Sequence, residues 1–289
     1  MTTYRTAVPA DEPGIFAIWS ASLTASLDWL RTDWEGIADR HQRTFVAIDG
    51  DGVAAVVVYA PRLLRDAGGE PVRVGGVAAV ATRPDARRRG HARELLVLAA
   101  DAMLADGCAW SLLFTGTPEV YSSLGWRPFP LYHRTARAVM GKEVPGVRLG
   151  SLDELPPLHE AFNARRPLSA VRSATDWAHG VRQRLGRVFA YEDTGYAAVV
   201  RGPQGLRITE LAVTEPKAAE VLISHAVAWA GDDRVLFEVP CDPLVEPALA
   251  RAFTDFRTRE VLAMARPLLS DPTGLSEQPG AVFWPADGF

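Results

Sequence analysis

The chain has almost no cysteine. Cys108 and Cys241 are its two thiols in 289 residues, and both stand in apolar, strand-like runs. That arrangement suggests neither a disulfide framework nor a thiolate metal site, so no metal is expected. Long hydrophobic runs are missing too. None approaches the length that spans a bilayer, and no membrane partner is expected. The opening residues, MTTYRTAVPADEPG, lack the basic-then-apolar layout of a signal peptide. Together these absences point to a reducing cytoplasm. An excess of one charge is also lacking: the formal net charge is −4, so the bulk balance gives no nucleic-acid partner. No glycine-rich loop ends in Gly-Lys-Ser/Thr, and no G-x-G-x-x-G fingerprint occurs. His41, His91 and His133 are scattered, and none is assigned as a base.

What is present is the composition of a folded, soluble protein, 48% hydrophobic and 23% charged. At 289 residues the chain exceeds one ordinary domain, and two are expected. The most informative stretch runs from Val77 to Ala105. Val77 to Ala81 is a short apolar run that reads as a buried strand, ended by Pro84, which has no N–H to give to a ladder. Arg87-Arg88-Arg89-Gly90-His91-Ala92 is a basic, glycine-centred turn. Leu95, Leu98, Ala99 and Ala102 then recur at helical spacing until Asp106-Gly107. Strand, glycine turn and helix form a geometry that holds phosphate, because the first N–H groups of a helix are unpartnered and its dipole makes that end electropositive. A solvated basic turn capping a surface helix fits the same letters.

Along the chain, Tyr4 to Val8 reads as a strand, and a helix carrying Ile15, Phe16, Ile18 and Trp19 follows. A Trp-rich polar segment, Leu27 to Arg40, comes next. Thr44–Ile48 and Val53–Tyr59 flank Asp49-Gly50-Asp51-Gly52, a good hairpin signal. After the anion-turn helix come a strand, Ala109–Phe114, and a short helix around Tyr121. The second half repeats this order weakly: Val147–Leu149, Asp153–Phe162, Arg187–Tyr191, Tyr196–Val200, Ile208–Val213, Ala218–Trp229 and Val235–Val239. The hinge falls around Val144-Pro145-Gly146, dividing the chain into residues 1–144 and 145–289. In the second half, Thr214-Glu215-Pro216-Lys217-Ala218-Ala219-Glu220 stands where the arginine turn would be, and its glutamates repel an anion.

Arg87-x-x-Gly90-x-Ala92 after Val80-Ala81-Thr82-Arg83-Pro84 resembles the signature of the GNAT acetyltransferases. The resemblance implies an α/β (α+β) chain of two tandem GNAT folds, each a mixed central sheet flanked by helices. The catalytic copy would be the first, and the second would be degenerate. Within GNAT proteins the chain looks most like the Eis-type (enhanced intracellular survival) acetyltransferases, through Val80, Pro84, Arg87 to Gly90 and Tyr121-Ser122-Ser123-Leu124-Gly125-Trp126. By that resemblance acetyl-CoA is the co-substrate, held by Val80, Ala81, Thr82, Arg87, Arg88, Arg89, Gly90, His91, Ala92, Arg93, Gly116 and Thr117. Tyr121 is the expected general acid for the leaving thiolate, with the Val80 N–H polarising the acetyl carbonyl. In the Eis type a C-terminal carboxylate is the general base, which points to Phe289. A water chain and Glu35 stay open as bases. Two departures stand out: Thr82 replaces an apolar residue, and the chain stops before the sterol-carrier-like third domain of that type.

The acceptor is read as a primary amine of a small molecule or peptide, attacked in a ternary complex. Its pocket is expected from Asp28, Trp29, Trp34 and Glu35, whose carboxylates and ring faces suit a cationic amine. The same residues also read as a helix pair burying its tryptophans. A homo-oligomer is left open. Two alternatives are carried: a non-catalytic acyl-CoA-binding or regulatory module, and a mycothiol-synthase-like acetyltransferase, whose working site would lie in the second copy.

Overall fold

The computed structural model describes residues 1–289 apart from 51, 140, 203–204, 232–233 and 238–241, so Cys241 and the expected strand end at Val239 lie outside the described residues. The first half runs β1 (Thr3–Thr6), α1 (Glu12–Ser22), α2 (Leu27–Glu35), β2 (Thr44–Asp49), β3 (Gly52–Arg65), β4 (Pro71–Thr82), α3 (His91–Ala105), β5 (Trp110–Phe114), α4 (Glu119–Ser122), β6 (Arg127–Pro128) and β7 (Leu131–Ala138). The second runs β8 (Val147–Leu149), α5 (Leu155–Asn163), α6 (Ala174–Asp176), α7 (Arg182–Leu185), β9 (Arg187–Tyr191), β10 (Gly195–Gly202), β11 (Gly205–Val213), α8 (Pro216–Ala230), β12 (Arg234–Phe237), α9 (Glu246–Ala252), β13 (Phe253–Val261) and β14 (Ala263–Pro267). None of the described helices is long and apolar enough to cross a membrane.

These strands build two mixed seven-stranded sheets, ordered β1-β2-β3-β4-β5-β14-β6 and β8-β9-β10-β11-β12-β7-β13. The two orders match position by position, with one exchange. The last strand of each half is inserted in the sheet of the other: β14 pairs antiparallel with β5 and β6, and β7 with β12 and β13. The crossings are short, through Phe129-Pro130 on one side and Leu262 on the other. Phe129 N–H donates to Ala263 O at 2.9 Å and Thr115 N–H to Leu262 O at 3.0 Å, which ties the two crossings together.

Residues 53 to 60 of β3 are all buried, because the strand has a helical layer on each face. One face carries Leu95, Leu96, Ala99 and Met103 of α3, and the other carries Ile15, Ile18 and Trp19 of α1 with Trp34 of α2. The second sheet has its own core, with Leu222, Ile223 and Ala226 of α8 packed on Tyr196, Leu211 and Val213. After β14 a tail runs back along both halves. It buries Trp284, whose Nε1 donates to Asn163 Oδ1 at 3.1 Å, and ends with the Phe289 ring against Gly76 of β4.

Candidate active site

Two features of β4 shape the site. Its parallel pairing with β5 covers only Val74–Gly76 against Trp110–Leu112, and beyond that the strands part. Against β3, Ala78 pairs with Val58 and Ala81 with Val56, so Ala79 and Val80 together face Val57. This is a β-bulge, with Ala79 in the left-handed region at φ 46°. The Ala79 carbonyl is held by Trp19 Nε1 at 3.2 Å, and Trp19 is fully buried under it. The bulge breaks the regular β3–β4 register beside Val80, near where β4 and β5 part.

Below the splay lies the anion turn. Gly90 is the N-cap of α3, at φ 84° with no capping side chain, and a Cβ there would meet nothing within 4 Å. Arg88 is also left-handed, at φ 62°. The first N–H groups of α3 therefore face outward uncapped, beside the exposed Arg88 and Arg93. Arg87 Nε donates to Thr82 O at 3.3 Å, closing the turn on the end of β4, and Arg89 pairs with Asp49 at 3.1 Å. His91 points the other way. It is buried, with Nδ1 on the Tyr4 hydroxyl at 2.9 Å, so its side chain packs beneath the turn and not on its outer face. Ala92 follows, half-buried in the first turn of the helix. In the second half, α8 begins at Pro216 with Glu215 as N-cap, and no glycine turn precedes it.

Val80 and Thr82 are half-buried along β4 and Ala81 is buried. Gly116 opens onto free space after β5, while the Thr117 N–H is taken by Thr115 Oγ1 at 2.9 Å. Tyr121 is buried on α4, edge-on to Trp126 with ring centroids 6.4 Å apart. Burial pushes its phenol up, with a Thr115 hydrogen bond opposing, so the hydroxyl keeps its proton. Phe289 stands in the splay. Its ring packs on Gly76, 6.0 Å from the Phe114 ring and 6.1 Å from Phe283, with the Arg62 guanidinium 5.9 Å above it.

The structure does not bring the four acceptor candidates together. Asp28 and Glu35 are exposed, and Glu35 lies 3.9 Å from Arg31. Trp34 is core, donating from Nε1 to Thr44 Oγ1 at 2.8 Å. Trp29 alone of the four lines a cleft of about 850 Å³ walled by residues of both halves. Phe114 and Gly288 close that cleft on the side of the splay. Its other walls come from residues the sequence did not single out: Gln183 and Arg184 of α7, and the tail from Ser276 to Phe283. Arg184 Nη1 donates to Asp33 at 2.7 Å, and its guanidinium stacks on Trp29 at 4.6 Å. Among the described residues no group of three or more His, Cys, Asp or Glu could hold a metal ion.

Residues 3–129 match the family profile described as Acetyltransferase (GNAT) domain. No curated protein matches the sequence. Among solved structures, a GCN5-related N-acetyltransferase from Kribbella flavida superposes with a TM-score of 0.72 at 20% identity, over 93% of this chain and 71% of that one. One from Anabaena variabilis gives 0.73 at 17%, over 93% and 73%. Eis1 from Mycobacterium abscessus gives 0.65 at 16%, over 93% and 74%. At these identities the likeness is one of fold. Residues 3–129 thus match the profile of a GNAT acetyltransferase domain, in a chain whose two exchanged sheets share the fold of larger proteins titled as N-acetyltransferases.

Proposed function

We propose that the protein is an acyl-CoA-dependent N-acyltransferase that moves an acetyl group onto a primary amine, with residues 1–144 as the catalytic half and 145–289 closing the acceptor side. The observation that carries this reading is the β4–β5 splay set directly above an uncapped, glycine-started helix with exposed arginines. The residues fit the co-substrate. The α3 N-terminus with Arg88 and Arg93 takes the pyrophosphate, and the open edge of β4 at Val80 to Thr82 takes the amide-bearing arm. The Val80 N–H stabilises the oxyanion as the amine lone pair forms the new C–N bond. The C–S bond breaks with its electron pair on sulfur, and Tyr121 gives that sulfur a proton. The nitrogen releases one proton to water, and the phenolate recovers one from water. The products are the N-acetyl amide and the free thiol.

Calorimetric titration of acetyl-CoA into wild type and Gly90→Glu tests the first half of this reading. A side chain at φ 84° and a negative charge in the anion turn should abolish binding. Tyr121→Phe should keep binding and lower turnover by about 10²–10⁴-fold, the usual worth of a positioned proton donor. A non-catalytic acyl-CoA-binding module would instead bind acetyl-CoA, turn over no amine and be indifferent to Tyr121→Phe.

A further inference from the structure

Phe289, at the end of the tail, is packed as a wall. Its ring lies on Gly76, where a Cβ would come within 2.6 Å of three ring carbons. A glycine inside a strand marks such a close approach. Gly76 is also the last residue of β4 that pairs with β5, opposite Leu112, so the ring sits where the two strands begin to part. It packs on two apolar clusters at once. One lies under α1 and α2, with Ala78 and Ala79 at its edge, and the other holds Leu112, Leu168 and Phe283.

On the far side of the ring is open space. Phe114 and Phe283, whose rings lie 6.0 and 6.1 Å from that of Phe289, line the cleft of about 850 Å³, and so does Gly288. Further walls of that cleft are Leu131, Val200, Val261 and Val282, and Phe114 and Val200 are each 38% exposed. Phe289 thus stands between the opening of β4 and β5 and a largely apolar space. Its neighbours are anchored. Asp287 is buried and pairs with Arg172 Nε at 2.6 Å. Arg62 donates to Gly288 O at 3.4 Å, with its guanidinium 5.9 Å from the ring centroid.

Direction decides what the ring meets. In the acyltransferase reading the cofactor arm arrives from the anion turn and runs from Thr82 to Val80, with the thioester carbonyl at Val80. The acyl chain then continues along β4 toward Gly76. Val80 and Gly76 are four strand residues apart, at most about 13 Å, and the ring fills the Gly76 end of that span. A two-carbon acyl group ends short of the ring, whereas an eight-carbon chain runs into it.

Resting on the acyltransferase reading above, we infer that Phe289 sets the length of the acyl group. Its ring closes the passage from the strand opening to the apolar cleft and restricts the protein to short acyl-CoA donors. The transfer step is the one already given, with the same bonds formed and broken.

The test compares acetyl-CoA with octanoyl-CoA by calorimetry on the full chain, in wild type, Phe289→Ala and Phe289→Leu. Each variant changes one side chain at the end of the tail and leaves Asp287 on Arg172. Wild type should bind acetyl-CoA about tenfold or more tighter than octanoyl-CoA, since one methylene too many in a closed apolar pocket is already worth about that factor. Phe289→Ala should reverse the order, because the longer chain then reaches the cleft and buries its methylenes there. Phe289→Leu, which keeps part of the apolar bulk, should fall between the two. Equal affinity of wild type for both donors would overturn the inference, as would an unchanged preference in Phe289→Ala. In either case the acyltransferase reading would stand. Failure of wild type to bind either donor would sink that reading and the inference with it.

Discussion

Gly75 and Gly76 lie side by side on β4 and face opposite neighbours, as successive strand residues must. A Cβ at 75 would overlap the Met103 side chain of α3, in the core of the first half. A Cβ at 76 would overlap the Phe289 ring. The two positions therefore separate packing from function. Gly75→Ala forces a methyl into a close-packed layer and should cost about 1–3 kcal/mol in a urea titration. Gly76→Ala should cost less, because a single ring at the end of the tail can move. It should nonetheless change acetyl-CoA affinity or turnover, because that ring fills the splay. Equal losses of stability with unchanged kinetics would show that Phe289 is mere filling. At this scale the sequence was informative about the loop and poor about the bulge. Gly90 and the arginines announce themselves, since an anion turn needs those residue types in consecutive order. The bulge at Ala79 rests on a Trp19 indole sixty positions earlier in the chain, and nothing in an apolar run of Val and Ala signals it.

Among the elements, the tail depends on a buried ion network in the second half. Arg172 Nη1 and Nη2 reach both oxygens of Glu210 at 2.9 and 2.6 Å, and Nε reaches Asp287 at 2.6 Å. His159 lies 3.0 Å from Glu210, and the Tyr196 hydroxyl donates to the same carboxylate. Since Asp287 is two residues from Phe289, this network fixes where the tail meets β4. Removing one partner of such a group strands the others, so Arg172→Leu should cost about 3–5 kcal/mol and release the tail. The network also gives a pH dependence. Burial alone would raise the Glu210 carboxyl, but the Arg172 charge and the His159 hydrogen bond outweigh it and hold the group below its ordinary 4.5. A depressed folded value means the contribution is complete above 4.5 and is lost as pH falls through the lowered value. Acid titration of stability should therefore steepen below that point in wild type and flatten in Glu210→Gln. The clue was present in Ile208-Thr209-Glu210-Leu211, an acid inside a buried strand, which without a partner in view reads as an ordinary strand. The hairpin of β2 and β3 was legible because Asp-Gly and two apolar runs are local. The partner of Glu210 is not.

For the whole molecule, the decisive feature is the exchange of last strands. The order of elements suggested two copies joined near Val144, and that order is present. Sheet membership ignores the join, because which strands pair is settled by contacts far apart in sequence rather than by local pattern. β5 and β6 of the first half touch only through β14 of the second, and β12 and β13 of the second only through β7 of the first. Further ties cross the join. Arg65, 3% exposed, donates from Nε to Ala164 O at 3.1 Å and pairs with Glu160 at 2.6 Å. Leu64 forms an antiparallel bridge with Ala170. A fragment of residues 1–144 would expose the edge of β5, lose the strand that holds β6, and leave β7 with no sheet to enter. Such unpaired edges invite aggregation. The 1–144 fragment should therefore be insoluble or lack a cooperative transition, although it contains the whole anion turn and Tyr121. The full chain should melt in one step, with calorimetric and van't Hoff enthalpies in agreement, as for a single cooperative unit. Two resolved transitions, or a soluble 1–144 fragment that binds acetyl-CoA with wild-type affinity, would show that the exchange is decoration on two independent folds. The predicted outcome would mean that the second half, without an anion turn of its own, is needed to complete the sheet on which the first half builds its site.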